Sequence, residues 1–371
     1  MKKALYVATV VKTHIMEFHI PYLKMLKEMG WETAVAARND YENPADCLIP
    51  YCDKYYDIPF ERNPILPGNI KAFQMLKKII DEGDYDIIHC HTPVGALLTR
   101  LAARDTRKRG TKVIYTAHGF HFYSGAPLKN WLLYYPPEWL CAHWTDVLIT
   151  INREDYERAK KHLHAKRVEY IPGVGIDVNR FMNVHIDRTA KREEIDVPVD
   201  AILLMSVGEL NKNKNHSIII KALSNIENRK IHYAIAGRGP LLNELRNLTV
   251  KKNVQHQVHF LGYRYDIPEL YAIADICVFP SIREGLGLAA VEGMATGLPV
   301  IVSDNRGTRG FLTPENAITC RYDDVDAFAQ AIRQLSEDKE HRERMGRANR
   351  IRSMDFDIRL IKQIMFQIYT N

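Results

Sequence analysis

Short, apolar, β-branched runs alternate with amphipathic helical stretches along almost the whole of this chain, and that rhythm limits its fold more than any other feature. "ALYVATVV" is followed by "EFHIPYLKMLKEMG", with Gly30 as a helix stop, and then by "ETAVAA". "IKAFQMLKKIIDEG", "YDIIHCHT", "GALLTRLAARDTRKRG", "TKVIYTAH", "TDVLITIN", "REDYERAKKHL" and "RVEYIPG" complete the first half. Alternation of this kind builds a parallel sheet covered on both faces, because each crossover must pass over the sheet as a helix. The rhythm breaks in the polar stretch "GVGIDVNRFMNVHIDRTAKREEIDVPVD" and restarts at "AILLMSVGEL". It then runs through "IHYAIAG", "VHFLGY", "DICVFPS", "PVIVSD" and "NAITC".

The expectation is therefore an α/β chain of two Rossmann-like, doubly wound domains facing a cleft. Residues 1–175 form the first, 176–199 a linker and 200–354 the second. The segment 355–371 is a C-terminal helix and a candidate to pack back on the first domain. Ligands of such sheets sit beyond the carboxyl ends of the strands.

Composition narrows the function classes. At 371 residues the chain is long enough for two cores, and its 46% hydrophobic content is that of a globular protein. A net charge of +6, without a basic stripe interleaved with aromatics, argues against nucleic acid. Six cysteines without CxxC spacing point to reduced thiols in a cytosolic setting. The opening "MKKALYVATVVKTH" ends its apolar run at Lys12 with no small-residue cleavage site, so it reads as a buried strand. No stretch approaches the roughly 20 apolar residues of a spanning helix.

Neither common nucleotide fingerprint is present. "TVVKTHIMEFH" stands where GxGxxG would follow the first strand, and there is no GxxxxGK[ST]. The glycine-rich turns fall in the second half: Gly237-Arg238-Gly239, and Gly285-Leu286-Gly287 leading into a helix. A helix N-terminus with approachable backbone suits phosphate. Glu284 at that mouth and Glu292 within the helix would repel one. Glu284 could complement the helix dipole, but glutamate is not a preferred N-cap. Glu292 stands among Ala289, Ala290, Val291, Met294 and Ala295, which leave little polar surface. Carboxylates accept strong hydrogen bonds from vicinal hydroxyls. A diphosphate at the helix mouth, with an acid gripping a sugar on either side, reconciles these demands.

Here the residues carry a resemblance. "PSIREGLGLAAVEGMATGLPVIVSD" resembles the glutamate–seven–glutamate signature of glycosyltransferase family four, retaining enzymes of the GT-B fold. "SVGELNKNKNHSIIIKAL", "IAGRGPLLNEL" and "HFLGYRYDIPELYAIADICVFPS" match that family's order and spacing. "DIIHCHTP", "VIYTAHGFHFYSGAPLKNWLLYYP" and "DVLITINREDYERAK" resemble the branch that builds bacterial capsule and exopolysaccharide repeat units.

The resemblance implies a nucleotide-sugar donor, expected to be a UDP-sugar, with no cofactor and no required metal. It implies that Glu284, beside the Gly285–Gly287 backbone, binds donor-sugar hydroxyls, Glu292 the ribose and Lys214 the diphosphate. It places Tyr263 and Arg264 near the base and His118 at the donor sugar. Glu209 stands where the family usually has an arginine, and is expected to point away or pair with Lys212. "SDNRGTRGFL" replaces the usual glycine pair and glutamate. The loop after the first strand lacks the family's glycines, so His14, Phe18 and His19 are expected to shape an acceptor site.

Simpler readings stand beside these. His89 and His91 share a strand face and could join His118 and His121 around a metal; cleft-lining histidines are the better reading. "DYD" (84–86) and "DFD" (355–357) imitate a metal-binding motif, but the first opens a strand and the second lies in the helical tail. Trp131, Trp139 and Trp144 fall in "WLLYYPPEWLCAHW", which helix packing and lipid headgroups explain equally well. Residues 100–167 hold 13 Lys/Arg against 6 Asp/Glu, which favours docking at the inner face of a membrane.

The leading expectation is a retaining glycosyltransferase. It would be cytoplasmic, peripheral to the inner membrane, and would act on a lipid-linked saccharide in exopolysaccharide or capsule synthesis. A sugar-nucleotide epimerase or phosphorylase on the same scaffold, and a silent nucleotide-sugar-binding scaffold, are the alternatives.

Overall fold

The computed structural model describes residues 1–371. The chain divides into two compact units, Met1–Val174 with Arg359–Asn371, and Gly175–Ile358.

The first unit is built on seven strands: β1 (Lys3–Val10), β2 (Glu32–Arg38), β3 (Lys54–Asp57), β4 (Ile87–His91), β5 (Lys112–Ala117), β6 (Val147–Thr150) and β7 (Arg167–Tyr170). Their order is β3-β2-β1-β4-β5-β6-β7, and every pairing is parallel. From Ala4 to Val10 every residue of β1 is buried, as is all of β4. Continuous burial, as opposed to alternation, is what a parallel sheet covered on both faces requires. β3 carries no apolar run and is partly exposed throughout, as suits an edge strand.

The helix Ile358–Thr370 completes this sheet's packing. The Tyr369 hydroxyl hydrogen-bonds Tyr6 and stands 2.8 Å from His89 Nδ1. Lys112 Nζ donates to the Ile368 carbonyl at 2.5 Å.

The second unit holds β8 (Ile202–Val207), β9 (Ile231–Ala236), β10 (Val258–Gly262), β11 (Ile276–Phe279), β12 (Val300–Ser303) and β13 (Ala317–Cys320). They are all parallel, in the order β10-β9-β8-β11-β12-β13. In both units the order reverses beside the first strand, between β1 and β4 and between β8 and β11. Loops leaving such neighbours diverge and open a crevice at their carboxyl ends.

The stretch 176–199, expected as a linker, is folded into the second unit as two short helices, Val178–Met182 and Arg188–Glu194. Its polar composition conceals Arg192, which is buried. Arg192 donates to the carbonyls of Val199, Ala201 and Ile273 and to Asp275 at 2.7–3.1 Å. None of the six cysteines is paired.

Candidate functional site

In the second unit the predicted residues gather at the reversal between β8 and β11. The loop after β8 carries Lys214 and the loop after β11 carries Glu284. Asn213 ties the loops together, its Nδ2 donating to the Arg283 carbonyl at 2.9 Å while its own carbonyl accepts from Ile282 N–H at 2.8 Å. Lys214 Nζ donates to Glu284 Oε1 at 2.8 Å, and both side chains are largely buried.

The helix Leu288–Thr296 starts at Gly287, whose φ of +96° favours glycine, and no side chain caps it. A Cβ there would come 2.9 Å from the Phe279 ring. Leu286 is buried, so only its backbone is offered to a ligand. Gly285 is half-buried beside it.

Glu292 stands on the second turn of this helix, partly exposed, and its carboxyl takes part in no hydrogen bond or ion pair. Burial of the carboxyl pushes its pKa up to about 7, opposed by the charges of Arg180 and Lys214. Arg180, which the sequence reading missed, lies on the first helix of the presumed linker. Its guanidinium also donates to the Tyr265 carbonyl at 3.3 Å. No motif marks it.

Two expectations need correction. Arg264 is not free for a base: it bonds Asp266 and Glu194 at 2.5–2.7 Å, in a network that Lys191 completes. It fastens its loop to the helix Arg188–Glu194 and leaves Tyr263, which is exposed, beside Arg238, with the guanidinium 6.0 Å from the ring. Glu209, expected to point away or to pair with Lys212, points away. It is exposed and accepts from Asn211 Nδ2 at 2.8 Å, away from Lys214. Gly237 and Gly239 are glycines for an internal reason, since a Cβ would come 1.9 Å from the Gly208 carbonyl oxygen and 2.5 Å from that of Leu210. The loop after β12 folds on Asn305, whose side chain accepts from Gly307 and Thr308 N–H, and Gly307 packs on the Glu284 backbone.

In the first unit, His14, His19, His91 and His118 converge at the reversal between β1 and β4. A five-residue π-turn, Val11–Ile15, carries His14, and His19 precedes the helix Ile20–Glu28. His91 ends β4 and His118 follows β5. Phe18 closes over them, 5.4 Å from His14 and 6.0 Å from His118 between ring centres. Burial holds the His118 imidazole down at about 4, so it is uncharged at neutral pH.

Of the four histidines weighed as a metal set, two stand elsewhere. His89 is bonded on both nitrogens, to Tyr369 and Thr116 at 2.8 Å, and His121 stacks on Tyr134 at 4.4 Å. "DYD" and "DFD" do structural work: Asp86 accepts from Lys3 N–H at 2.7 Å, and the second motif lies at a 3₁₀ turn, Met354–Phe356, with Phe356 buried.

The tryptophans divide. Trp131 packs into the core against Phe122 and Tyr135, while Trp139, Leu128 and Leu132 are 41%, 73% and 70% exposed on one face of the helix Leu128–Ala142.

Two Rossmann-like units, with a glycine-opened helix that follows one glutamate and carries another on its second turn, define the GT-B class of glycosyltransferases. The family model "Glycosyltransferase Family 4" matches residues 22–180, and "Glycosyl transferases group 1" matches 187–352. The chain is 43% identical over 375 residues to the putative glycosyltransferase EpsD of Bacillus subtilis (strain 168), covering all of this chain and 96% of that one. It is 31% identical over 287 residues to the UDP-Gal:alpha-D-GlcNAc-diphosphoundecaprenol alpha-1,3-galactosyltransferase of Escherichia coli, 75% of this chain and 73% of that one. The crystal structure of Anabaena Alr3699/HepE in complex with UDP and glucose superposes with a TM-score of 0.81 at 18% identity, covering all of both chains. The chain belongs to the family 4 glycosyltransferases and is a relative of the putative glycosyltransferase EpsD.

Proposed function

We propose that this glycosyltransferase moves a sugar, with retention, from a UDP-sugar to a lipid-linked saccharide while resting on the inner face of a membrane. The observation that carries the donor reading is the Glu292 carboxyl, half-buried without a hydrogen-bond donor on the helix whose uncapped N-terminus follows Glu284. A carboxylate so placed gains most from two vicinal hydroxyls, and a ribose supplies them. The helix amides and Lys214 then meet the diphosphate, and Glu284, released in part from Lys214, takes hydroxyls of the transferred sugar. His118 orients that sugar as a neutral hydrogen-bonding group, and is not a nucleophile. His14, Phe18 and His19 shape the acceptor's approach.

The choice of uridine is supported by the Escherichia coli relative, whose name gives a UDP-galactose donor and a diphosphoundecaprenol-linked acceptor. No helix is long and apolar enough to cross a membrane. The exposed Leu128, Leu132 and Trp139 face, amid a basic stretch, supports attachment to the surface instead.

The test is incubation with a panel of nucleotide sugars, with and without a lipid-diphosphate saccharide. UDP release only with acceptor, and a new bond of the donor's anomeric configuration by NMR, are expected. Sugar 1-phosphate formed from inorganic phosphate would mean a phosphorylase, and an altered donor without acceptor an epimerase. An inverted bond would remove the retaining mechanism.

A further inference from the structure

The histidine cluster of the first unit has more ligand chemistry than sugar transfer uses. Its four side chains arrive from the last residue of β4 and from the segments that follow its neighbours β1 and β5. His14, His19 and His91 are 8%, 2% and 1% exposed, and His118 is half-buried. One hydrogen bond joins the set, His118 Nε2 to His91 Nδ1 at 3.3 Å. The Nε2 atoms of His14, His19 and His91 are buried with no hydrogen-bond partner. Buried polar atoms are normally satisfied, so three orphans in one cluster call for a ligand.

One ring nitrogen from each of the four lies within 4.8 Å of all the others, and the six ring-centre separations run from 3.8 to 5.8 Å. Nitrogens bound at about 2.0–2.1 Å around a tetrahedral zinc ion stand roughly 3.3–3.4 Å apart. Closing to that distance takes at most about 1.5 Å of movement at any pair, within reach of small rotations about the broad terminal torsion of histidine. The donors are all imidazole, which suits zinc and its neighbours and not magnesium or calcium. His89, bonded on both nitrogens and 4.2 Å from the His91 ring, packs behind the set as a support.

We infer that His14, His19, His91 and His118 form a binding site for one zinc-class transition-metal ion. Four protein ligands leave no open position, so the ion is not a Lewis acid for the reaction. It occupies a lone pair of His118 and, on the reading of His118 given above, blocks transfer reversibly.

The experiment is titration of the full, metal-stripped chain with cobalt(II), followed by displacement with zinc. The expected result is one equivalent of cobalt with the intense visible bands of a tetrahedral site, lost on zinc addition. His19→Gln should weaken binding at least tenfold, and the double variant His143→Gln/His164→Gln, which removes an exposed pair 5.1 Å apart, should leave it unchanged. Circular dichroism checks the fold. If His19→Gln does not fold, His118→Gln, at the half-exposed member, replaces it. Pale six-coordinate cobalt, or binding that survives the cluster variant and disappears in the double variant, overturns the site. Zinc that binds at the cluster while transfer continues at full rate establishes the site and refutes instead the assignment of His118 to the donor sugar.

Discussion

Donor binding should be coupled to release of a proton from Glu292. In the free protein this carboxyl has a pKa of about 7 and faces only the charges of Arg180 and Lys214, the latter paired with Glu284. Two ribose hydroxyls donating to it stabilise the ionised form, so the bound pKa falls. Only the ionised fraction of free protein is then competent, about nine-tenths at pH 8 and about one-tenth at pH 6. The affinity should therefore drop about tenfold across that window, about 1.4 kcal/mol. An intact UDP-sugar is the proper probe, because UDP itself carries a terminal phosphate that titrates near pH 6.

Calorimetry in two buffers of different ionisation enthalpy reads the proton directly. Glu292→Gln keeps the shape and removes the titration, so its pH profile should be flat. The same variant should stabilise the ligand-free protein at pH 8. A carboxyl raised from 4.5 to about 7 binds more protons folded than unfolded, so stability declines as pH rises from about 4.5 to 7. Partial hydration limits the gain to the order of 1–3 kcal/mol. A flat wild-type profile, or a slope that persists in Glu292→Gln, would refute the assignment of the ribose to this residue.

Lys214→Ala should reduce kcat/KM at least tenfold, about 1.4 kcal/mol, because charge on the departing diphosphate grows in the transition state; Glu209→Ala should change it much less. Steady-state kinetics on both variants decide, and near-normal rates for Lys214→Ala would leave the phosphates to the helix amides alone. Glu284→Gln should lower kcat about 100-fold or more while UDP affinity measured by calorimetry holds, and survival of kcat within a few-fold would move this residue away from the reacting sugar. Gly237→Ala should cost about 2–3 kcal/mol, read as a lower melting temperature, since the new methyl meets the Gly208 carbonyl oxygen at 1.9 Å; an unchanged melt would mean that the loops yield. Leu128→Glu with Leu132→Glu should weaken binding to anionic vesicles at least tenfold in co-sedimentation, each leucine being worth about 1.5–3 kcal/mol when buried. Undiminished binding would take the lipid contact elsewhere.

The alternating hydropathy located twelve of the thirteen strands, the central ones most plainly, because strands buried inside a parallel sheet must be apolar through and through. β3 escaped because an edge strand reading "KYYD" has one neighbour and no such requirement. The two acids were legible from their surroundings and Lys214 only through the family resemblance, and Lys214 and Glu284 do meet. Side chains on irregular backbone were not. Strand period placed His89 and His91 on one face, correctly, but said nothing of the turn that sends His121 towards Tyr134 or the π-turn that brings His14 inward. Arg192 misled for another reason: its buried guanidinium is satisfied by carbonyls, which carry no mark in a sequence.

The helix Ile358–Thr370 gives the protein a particular order of assembly on the ribosome. The first sheet has all its strands once Tyr170 has emerged, yet Tyr6, His89 and Lys112 wait for partners at Ile368 and Tyr369. The whole of Gly175–Ile358 is made in between. At about 5–20 residues per second that is a delay on the order of 10–40 s. The half of the protein that is synthesised first is therefore the half that finishes last, and through that interval its nascent sheet leaves bare, for chaperones to find, the apolar surface on which Ile361, Met365 and Ile368 later bury themselves.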